Sequence, residues 1–393
     1  MKRIMILGAS ILQLPAIRKA KEMGCYVGVV DYNADAVGVR EADEFYNIST
    51  IDVDGVVRVA QCFHPDGIMT LASDMPMRSV AEACKVLKLP GISPDTALKA
   101  TDKGEMIKAF EAKDVAHPWY IIVPDPNGFE KVLNNVSFPC IMKPTDNSGS
   151  RGVVLCENRE RLKAEYEYAL HESRGGAVII EEFLRGPEFS VEVMVVDGHP
   201  YVLQITDKMT TGAPHFVEMG HSQPTQQNEE NQELIRELAC KAVSAVGINV
   251  GPAHVEIILT KDGPKMVELG ARMGGDCIAT HLVPLSTGVD MVENSIKLAC
   301  GEKVDITPKF KKGAAIRYFD TCNGKIKRID GIDFASHIPG VKEIAIVHQI
   351  GETIRGIGNS ADRVGFVIAQ QETVEKAIDT CLEAIQSVRI TME

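Results

Sequence analysis

His254-Val255-Glu256-Ile257-Ile258-Leu259-Thr260-Lys261-Asp262-Gly263-Pro264-Lys265-Met266-Val267-Glu268-Leu269-Gly270-Ala271-Arg272 is the stretch whose reading decides the fold. It reads as two strands around an Asp262-Gly263 turn. Val255, Ile257 and Leu259 fall on one face and Glu256 on the other, while Glu268, Gly270 and Arg272 share a face of the return strand. If the loop is the five residues Thr260 to Pro264, Glu256 and Glu268 stand directly opposite each other. Carboxylates that close repel unless a proton or cation lies between them. Hard oxygen donors suit Mg2+, which takes one or two carboxylates plus substrate phosphates. Taken alone, the pair also reads as two solvated hairpin acids. His254 invites a zinc reading, but no second His or Cys lies at ligand spacing.

Upstream, Pro139-Cys140-Ile141-Met142-Lys143-Pro144-Thr145-Asp146-Asn147-Ser148-Gly149-Ser150-Arg151-Gly152-Val153 delivers a lysine on a strand, followed by a flexible Ser/Gly loop. Small residues let backbone N–H groups approach phosphate oxygens, and a lysine adds a point charge. The GxxxxGK[ST] pattern is absent, so this is not a Walker A loop. A surface hairpin loop with an exposed lysine has the same pattern. Between the two segments, Val178 to Glu182 is a strand ending in acids, which turns at Gly186-Pro187 and re-enters a strand at Glu188. Such an edge offers backbone groups to an adenine and a carboxylate to ribose hydroxyls; an acidic hairpin turn is the plainer alternative.

The surrounding chain is that of a multi-lobed enzyme. With 393 residues, two or three domains are expected at about 150 residues each. Ile4 to Leu7, Tyr26 to Val30 and Gly67 to Leu71 read as strands alternating with helices, which points to a doubly wound parallel sheet. A Gly turn after the first strand and Asp31 ending the second suggest a dinucleotide site, but Gly8-Ala9-Ser10-Ile11-Leu12-Gln13 lacks the other glycines of GxGxxG. Phe189 to Val195 alternate at period two before an Asp197-Gly198 turn. Residues 228–246 form an amphipathic helix with Leu234, Ile235, Leu238, Ala242, Val243 and Val246 on one face. A second, near the end, carries Val374, Ala377, Ile378, Cys381, Leu382, Ile385 and Val388.

A net charge of −12 argues against nucleic acid as the main ligand, because phosphate backbones are bound by Lys and Arg. The 45% hydrophobic and 24% charged composition is that of a globular chain rather than a disordered or membrane-embedded one. The ten cysteines include no CxxC pair and are expected to be reduced core residues of a cytoplasmic protein. Lys2-Arg3 and the apolar residues after them resemble a signal peptide, but Gly8, Gln13 and Pro15 interrupt the run. No apolar stretch reaches the roughly 18 residues of a membrane-spanning helix.

Taken together, the lysine strand with its Ser/Gly loop, Glu181-Glu182-Phe183-Leu184 leading to Gly186-Pro187-Glu188, and the Glu268-to-Arg272 motif resemble the ATP-grasp superfamily of carboxylate–amine ligases over nearly all of the chain. The tract Glu268 to Asp276 and the tail from Gly313 to Ile390 look most like the L-amino acid ligase group, which forms dipeptides. The resemblance implies an α/β ATP-grasp fold. A Rossmann-like domain would span 1–99, an ATP-grasp domain 100–305 with a lid at about 115–182, and a small α+β lobe 306–393. Lys103 and Lys143 would bind phosphates, and the loop from Ser148 through Gly149 and Ser150 to Gly152 would close over them. Glu181 and the backbone near Leu184 would hold the adenine, and Glu188 the ribose. Glu256 and Glu268 would bind Mg2+, or Mn2+ in its place, and Arg272 would stabilise the acyl phosphate and tetrahedral intermediate. Asp74 and His221 match substrate-side positions. The implied reaction joins a small-molecule carboxylate to an amine with release of ADP and phosphate. No nucleic acid or membrane partner is implied, and a homo-oligomer is compatible. Purine-pathway or carboxyphosphate-forming ligases use the same nucleotide chemistry, and a non-catalytic nucleotide-binding regulator is a third reading. One position departs from the pattern: Gly270 stands where the superfamily usually has a metal-binding Asn. Water or backbone would have to replace that ligand, or a second metal would bind more weakly.

Overall fold

In the computed structural model, which describes residues 1–393 other than 148, 150, 214, 215, 321, 322 and 355, the chain opens on a parallel four-stranded sheet. Its spatial order is Glu44–Tyr46, Tyr26–Val30, Arg3–Leu7 and Gly67–Met69. The helices Leu14–Glu22, Val53–Phe63 and Pro76–Leu87 accompany it. The first helix starts after a turn at residues 11–13, with Pro15 in its first turn. The helix Val53–Phe63 went unread, although Asp52 caps it by accepting from Gly55 N at 3.0 Å. Asp31, the acid ending the second strand, has a structural use. Its carboxylate accepts from Ala9 N at 2.7 Å and Asn33 N at 2.8 Å. Gln13 folds over Gly8 and donates to Leu71 O at 2.6 Å, so a side chain fills the space above the turn that a pyrophosphate takes in dinucleotide sites.

The central element is an antiparallel eight-stranded sheet in the order Gly263–Gly270, Gly251–Thr260, Glu188–Val196, His199–Thr210, Glu218–Gln223, Gly313–Tyr318, Gly365–Gln371 and Val341–Ile346. Val191, Val193 and Val195 belong to one core cluster with Ile235, Leu238, Ala242 and Val243 of the helix Glu229–Val246. Each valine, leucine or isoleucine among them contributes about 1.5–3 kcal/mol when fully buried. Leu234, which periodicity places on that face, is 40% exposed, and on the terminal helix Val374–Ser387 Leu382 is 42% exposed. In both helices the buried stripe is narrower than the apolar one. The same cluster takes in Met5, Leu7 and Val30 of the first sheet, so the core runs unbroken from the parallel to the antiparallel sheet.

A separate antiparallel sheet, Tyr120–Val123, Val178–Glu182, Cys140–Pro144 and Val154–Cys156, has its own core with the helices Pro126–Val132 and Arg159–His171. Within the last part of the chain, Gly313–Tyr318 pairs with Glu218–Gln223, so His221 lies against Ile316 and the C-terminal strands extend the central sheet. The nine described cysteines are free thiols, and Cys322 lies outside the described residues. Among the described residues no helix is long and apolar enough to cross a membrane.

Candidate active site

The hairpin Gly251–Thr260/Gly263–Gly270 brings Glu256 opposite Glu268, but not through a five-residue loop. The turn is tighter: Thr260 pairs with Gly263 and Ile257 with Met266, a register that would set Glu256 against Val267. A bulge between Glu256 and Ile257 skips Val267 and restores the pairing of the two acids. Nor are these acids solvated. Their side chains are 20% and 28% exposed, and each meets a lysine: Lys208 Nζ lies 3.2 Å from Glu256 Oε2, and Lys103 Nζ 3.0 Å from Glu268 Oε2. Burial alone would raise both carboxyl pKa values. For Glu256 the Lys208 charge and the His254 ring outweigh it, and for Glu268 Lys103 does, so both lie below the usual carboxylate range.

On one side of this acid pair is a cavity of about 180 Å³, lined among others by Lys103, Lys143, Glu181, Leu184, Glu188 and Met266. Lys103 begins a helix capped by Asp102, its backbone N donates to Thr145 O at 2.7 Å, and its Nζ donates to Asn147 O at 2.7 Å. Lys143 and Glu181 come from adjacent strands and pair at 2.7 Å, both almost fully buried. Glu188 accepts from Lys208 Nζ at 2.5 Å. At Gly152, φ is +76° and a Cβ would meet Pro144 Cγ at 2.7 Å and Glu172 Cβ at 2.8 Å, so the end of the Ser/Gly loop requires glycine. Gly149 lines both this cavity and the larger one; Ser148 and Ser150 lie outside the described residues.

On the other side is a cavity of about 540 Å³ that reaches the carboxyl edge of the parallel sheet and contains Asp74, His221 and Arg272 in its wall. The two cavities share Lys208, Glu218, Glu256 and Glu268, so the acids stand at their boundary. Arg272 and Asp74, far apart in the chain, form a bidentate pair at 2.8 and 3.0 Å. Gly270 makes room for it, since a Cβ there would lie 2.4 Å from Asp74 Oδ1 and 3.1 Å from Arg272 Nε. The position where an Asn side chain would start is thus occupied by Asp74. His221 is buried, with Nε2 at 3.4 Å from Asp276 Oδ2 and with Nδ1 lacking a hydrogen-bond partner among the described residues.

Several residues of this site were not legible as such. The Lys208 side chain is 3% exposed and gathers Glu188, Glu256 and, at 3.7 Å, Glu218; burial opposes its charge, yet these acids hold its pKa well above the usual lysine value. Glu192 is fully buried and hydrogen-bonds His254 Nδ1; burial disfavours the charged ring, but Glu192 and Glu256 push its pKa up to about 9. Arg363 reaches in from the C-terminal region to Asp276 with two contacts of 2.8 Å, donates to Glu218 O at 3.0 Å and stacks on Tyr318 at 3.8 Å. Among the described residues no group of three or more His, Cys, Asp and Glu side chains is placed to hold a metal ion.

Residues 136–280, which hold the lysine strand, the Gly186-Pro187 turn and the acid hairpin, match the ATP-grasp domain family. The chain therefore carries an ATP-grasp domain over these residues. Residues 317–393 match the L-amino acid ligase C-terminal domain 2. The alanine–anticapsin ligase of Bacillus subtilis (strain 168) is 29% identical over 278 residues, which span 65% of this chain and 58% of that enzyme. Two solved structures share the fold. The L-amino acid ligase of Bacillus licheniformis has a TM-score of 0.88 at 24% identity, covering 100% of this chain and 99% of that one. The phosphoribosylglycinamide synthetase of Anaerococcus prevotii has a TM-score of 0.81 at 24% identity, covering 100% of both chains.

Proposed function

We propose that this ligase joins the carboxylate of one amino acid to the amine of another, through an acyl phosphate, with ATP bound in the smaller cavity and the amino acids in the larger. The observation that carries the reading is the placement of Glu256 and Glu268, opposed at the boundary of the two cavities with Lys103, Lys208 and Arg272 around them. The donor set fits Mg2+: two charged carboxylates in register, facing a nucleotide that supplies the remaining oxygens. Bound there, the ion would neutralise β- and γ-phosphate charge.

Lys103 and Lys143 would each exchange a carboxylate partner, Glu268 and Glu181, for phosphate oxygens. Glu181 and the Leu184 backbone would then face the adenine and Glu188 the ribose. In the first step a carboxylate oxygen of the donor attacks the γ-phosphorus in line and ADP leaves. In the second, the acceptor nitrogen attacks the acyl carbon, the C–O bond to phosphate breaks, and phosphate departs while the nitrogen loses a proton. Arg272 would hold the charge on the acyl phosphate and tetrahedral intermediate, and Asp74 would orient the amine. Gly149 and its neighbours would exclude water, which otherwise hydrolyses the acyl phosphate. The free thiols fit a reducing, cytoplasmic setting.

Phosphate release from ATP, screened across amino-acid pairs with mass detection of the product, tests the reading. Release stimulated by a pair, with a product one water lighter than their sum, is expected. Stimulation by bicarbonate or a ribosylamine instead would move the chain to the purine-pathway or carboxyphosphate class, and no stimulation by any substrate would make it a non-catalytic binder.

A further inference from the structure

The larger cavity has two chemically distinct ends. Its inner end is charged, with Glu256, Glu268, Arg272 and Asp74. Its outer end includes Leu12, Tyr32 and Ile51, which are 46%, 77% and 47% exposed. Single apolar side chains on a surface carry no message. These three, however, come from separate loops that follow Arg3–Leu7, Tyr26–Val30 and Glu44–Tyr46, and they meet at one cavity. That is the carboxyl edge of a parallel sheet, where such folds bind ligands.

A cation lines the same cavity. Arg174 lines the cavity, and among the described residues its guanidinium forms no ion pair, whereas Arg272 is engaged by Asp74 and Lys208 by three glutamates. The turn that carries it is fixed to the strand end that carries Lys143. The Asp146 carboxylate accepts from Ser173 Oγ at 3.1 Å, Arg174 N at 3.0 Å and Gly175 N at 2.6 Å, and Asn147 Nδ2 donates to Glu172 O at 2.9 Å.

We infer that the outer end of the larger cavity is the acceptor subsite, selective for an amino acid with an apolar side chain whose free carboxylate pairs with Arg174. This rests on the amino-acid ligase reading. The donor carboxylate has to reach the acid pair and becomes an acyl group, losing its charge. The acceptor keeps its own carboxylate throughout, so it requires a cation that is not committed to phosphate or to the acyl phosphate. Arg174 meets that requirement, and Leu12, Tyr32 and Ile51 form the apolar surface left for the acceptor side chain.

The test fixes the donor at the amino acid giving the fastest phosphate release and varies the acceptor among leucine, phenylalanine, serine, aspartate and leucinamide. For the wild type, kcat/KM with leucine or phenylalanine should exceed that with serine at least tenfold, since each buried methylene adds roughly a factor of four. Leucine should exceed leucinamide by about tenfold or more, the worth of a charge-assisted pair. Ile51→Ser and Tyr32→Ser should reduce the first preference through KM with kcat within about twofold, and Arg174→Ala should remove the second. All three side chains are solvent-accessible, so thermal melting should be unchanged, which separates these effects from misfolding. A wild type that joins amino acids while indifferent to acceptor side chain and carboxylate, or variants that keep both preferences, would overturn this inference alone. A wild type that releases phosphate with no amino-acid pair would overturn the functional reading and the subsite with it.

Discussion

Replacing Gly270 by Asn separates two explanations for the departure at that position. If the glycine merely omits a metal ligand, Gly270→Asn restores it and improves activity. The geometry predicts the reverse. A Cβ at 270 falls 2.4 Å from Asp74 Oδ1 and 3.1 Å from Arg272 Nε, so one of these side chains has to move. Their two hydrogen bonds, at 2.8 and 3.0 Å, are charge-assisted and each contributes about 1.5–3 kcal/mol. Crowding a packed site costs about 1–3 kcal/mol more. With one bond lost and the strain partly relaxed, a destabilisation of about 3 kcal/mol is expected, and a similar loss at the displaced Arg272 lowers kcat/KM about a hundredfold. Urea denaturation measures the first and phosphate release the second. Gly270→Ala carries the same Cβ without an amide and should reproduce most of both effects. A Gly270→Asn protein with wild-type stability and equal or higher kcat/KM would refute the reasoning.

Lys208→Met leaves Glu188, Glu218 and Glu256 without their shared cation, and urea denaturation should show a loss of roughly 3–5 kcal/mol. Glu268→Gln should abolish phosphate release while thermal melting still shows a cooperative fold; near-wild-type turnover would remove Glu268 from the metal role. For Asp276, burial works against the charged form, but Arg363 and His221 hold its pKa below the ordinary aspartate value of 3.8. A depressed carboxyl pKa contributes stability that is full above about pH 4 and is lost as the pH falls through the folded value. Asp276→Asn should therefore be less stable than wild type by about 2–4 kcal/mol at pH 7, with the gap narrowing only below about pH 4. A gap that closes already at pH 6 would contradict that origin.

What the sequence discloses here is local, and what it withholds is long-range. The acid pair was legible because period-two alternation places Glu256 and Glu268 on strands of one hairpin, yet the loop inferred for it was wrong. A bulge that skips Val267 leaves no mark in the residue pattern. Lys143 and Glu181 were legible as motif residues, but their mutual pairing depends on Cys140–Pro144 lying beside Val178–Glu182. The Arg272–Asp74 and Arg363–Asp276 pairs join residues 198 and 87 positions apart, so only the packing of the sheets reveals them. Lys208 carried a usable signal: Glu188, Glu218 and Glu256 sit on polar positions of neighbouring strands and need a buried cation among them. Glu192 was hidden because alternation along Phe189 to Val195 does not reveal that Glu188–Val196 lies inside an eight-stranded sheet with nearly every residue buried.

The most direct measurement follows the oxygen atoms. With the donor amino acid labelled with oxygen-18 in its carboxylate, attack of that carboxylate on the γ-phosphate transfers one labelled oxygen to the phosphate released in the complete reaction. Phosphate carrying one oxygen-18, in step with amide product, is the predicted result. Unlabelled phosphate formed at the same rate as the product would contradict an acyl phosphate and with it the function assigned to the paired glutamates.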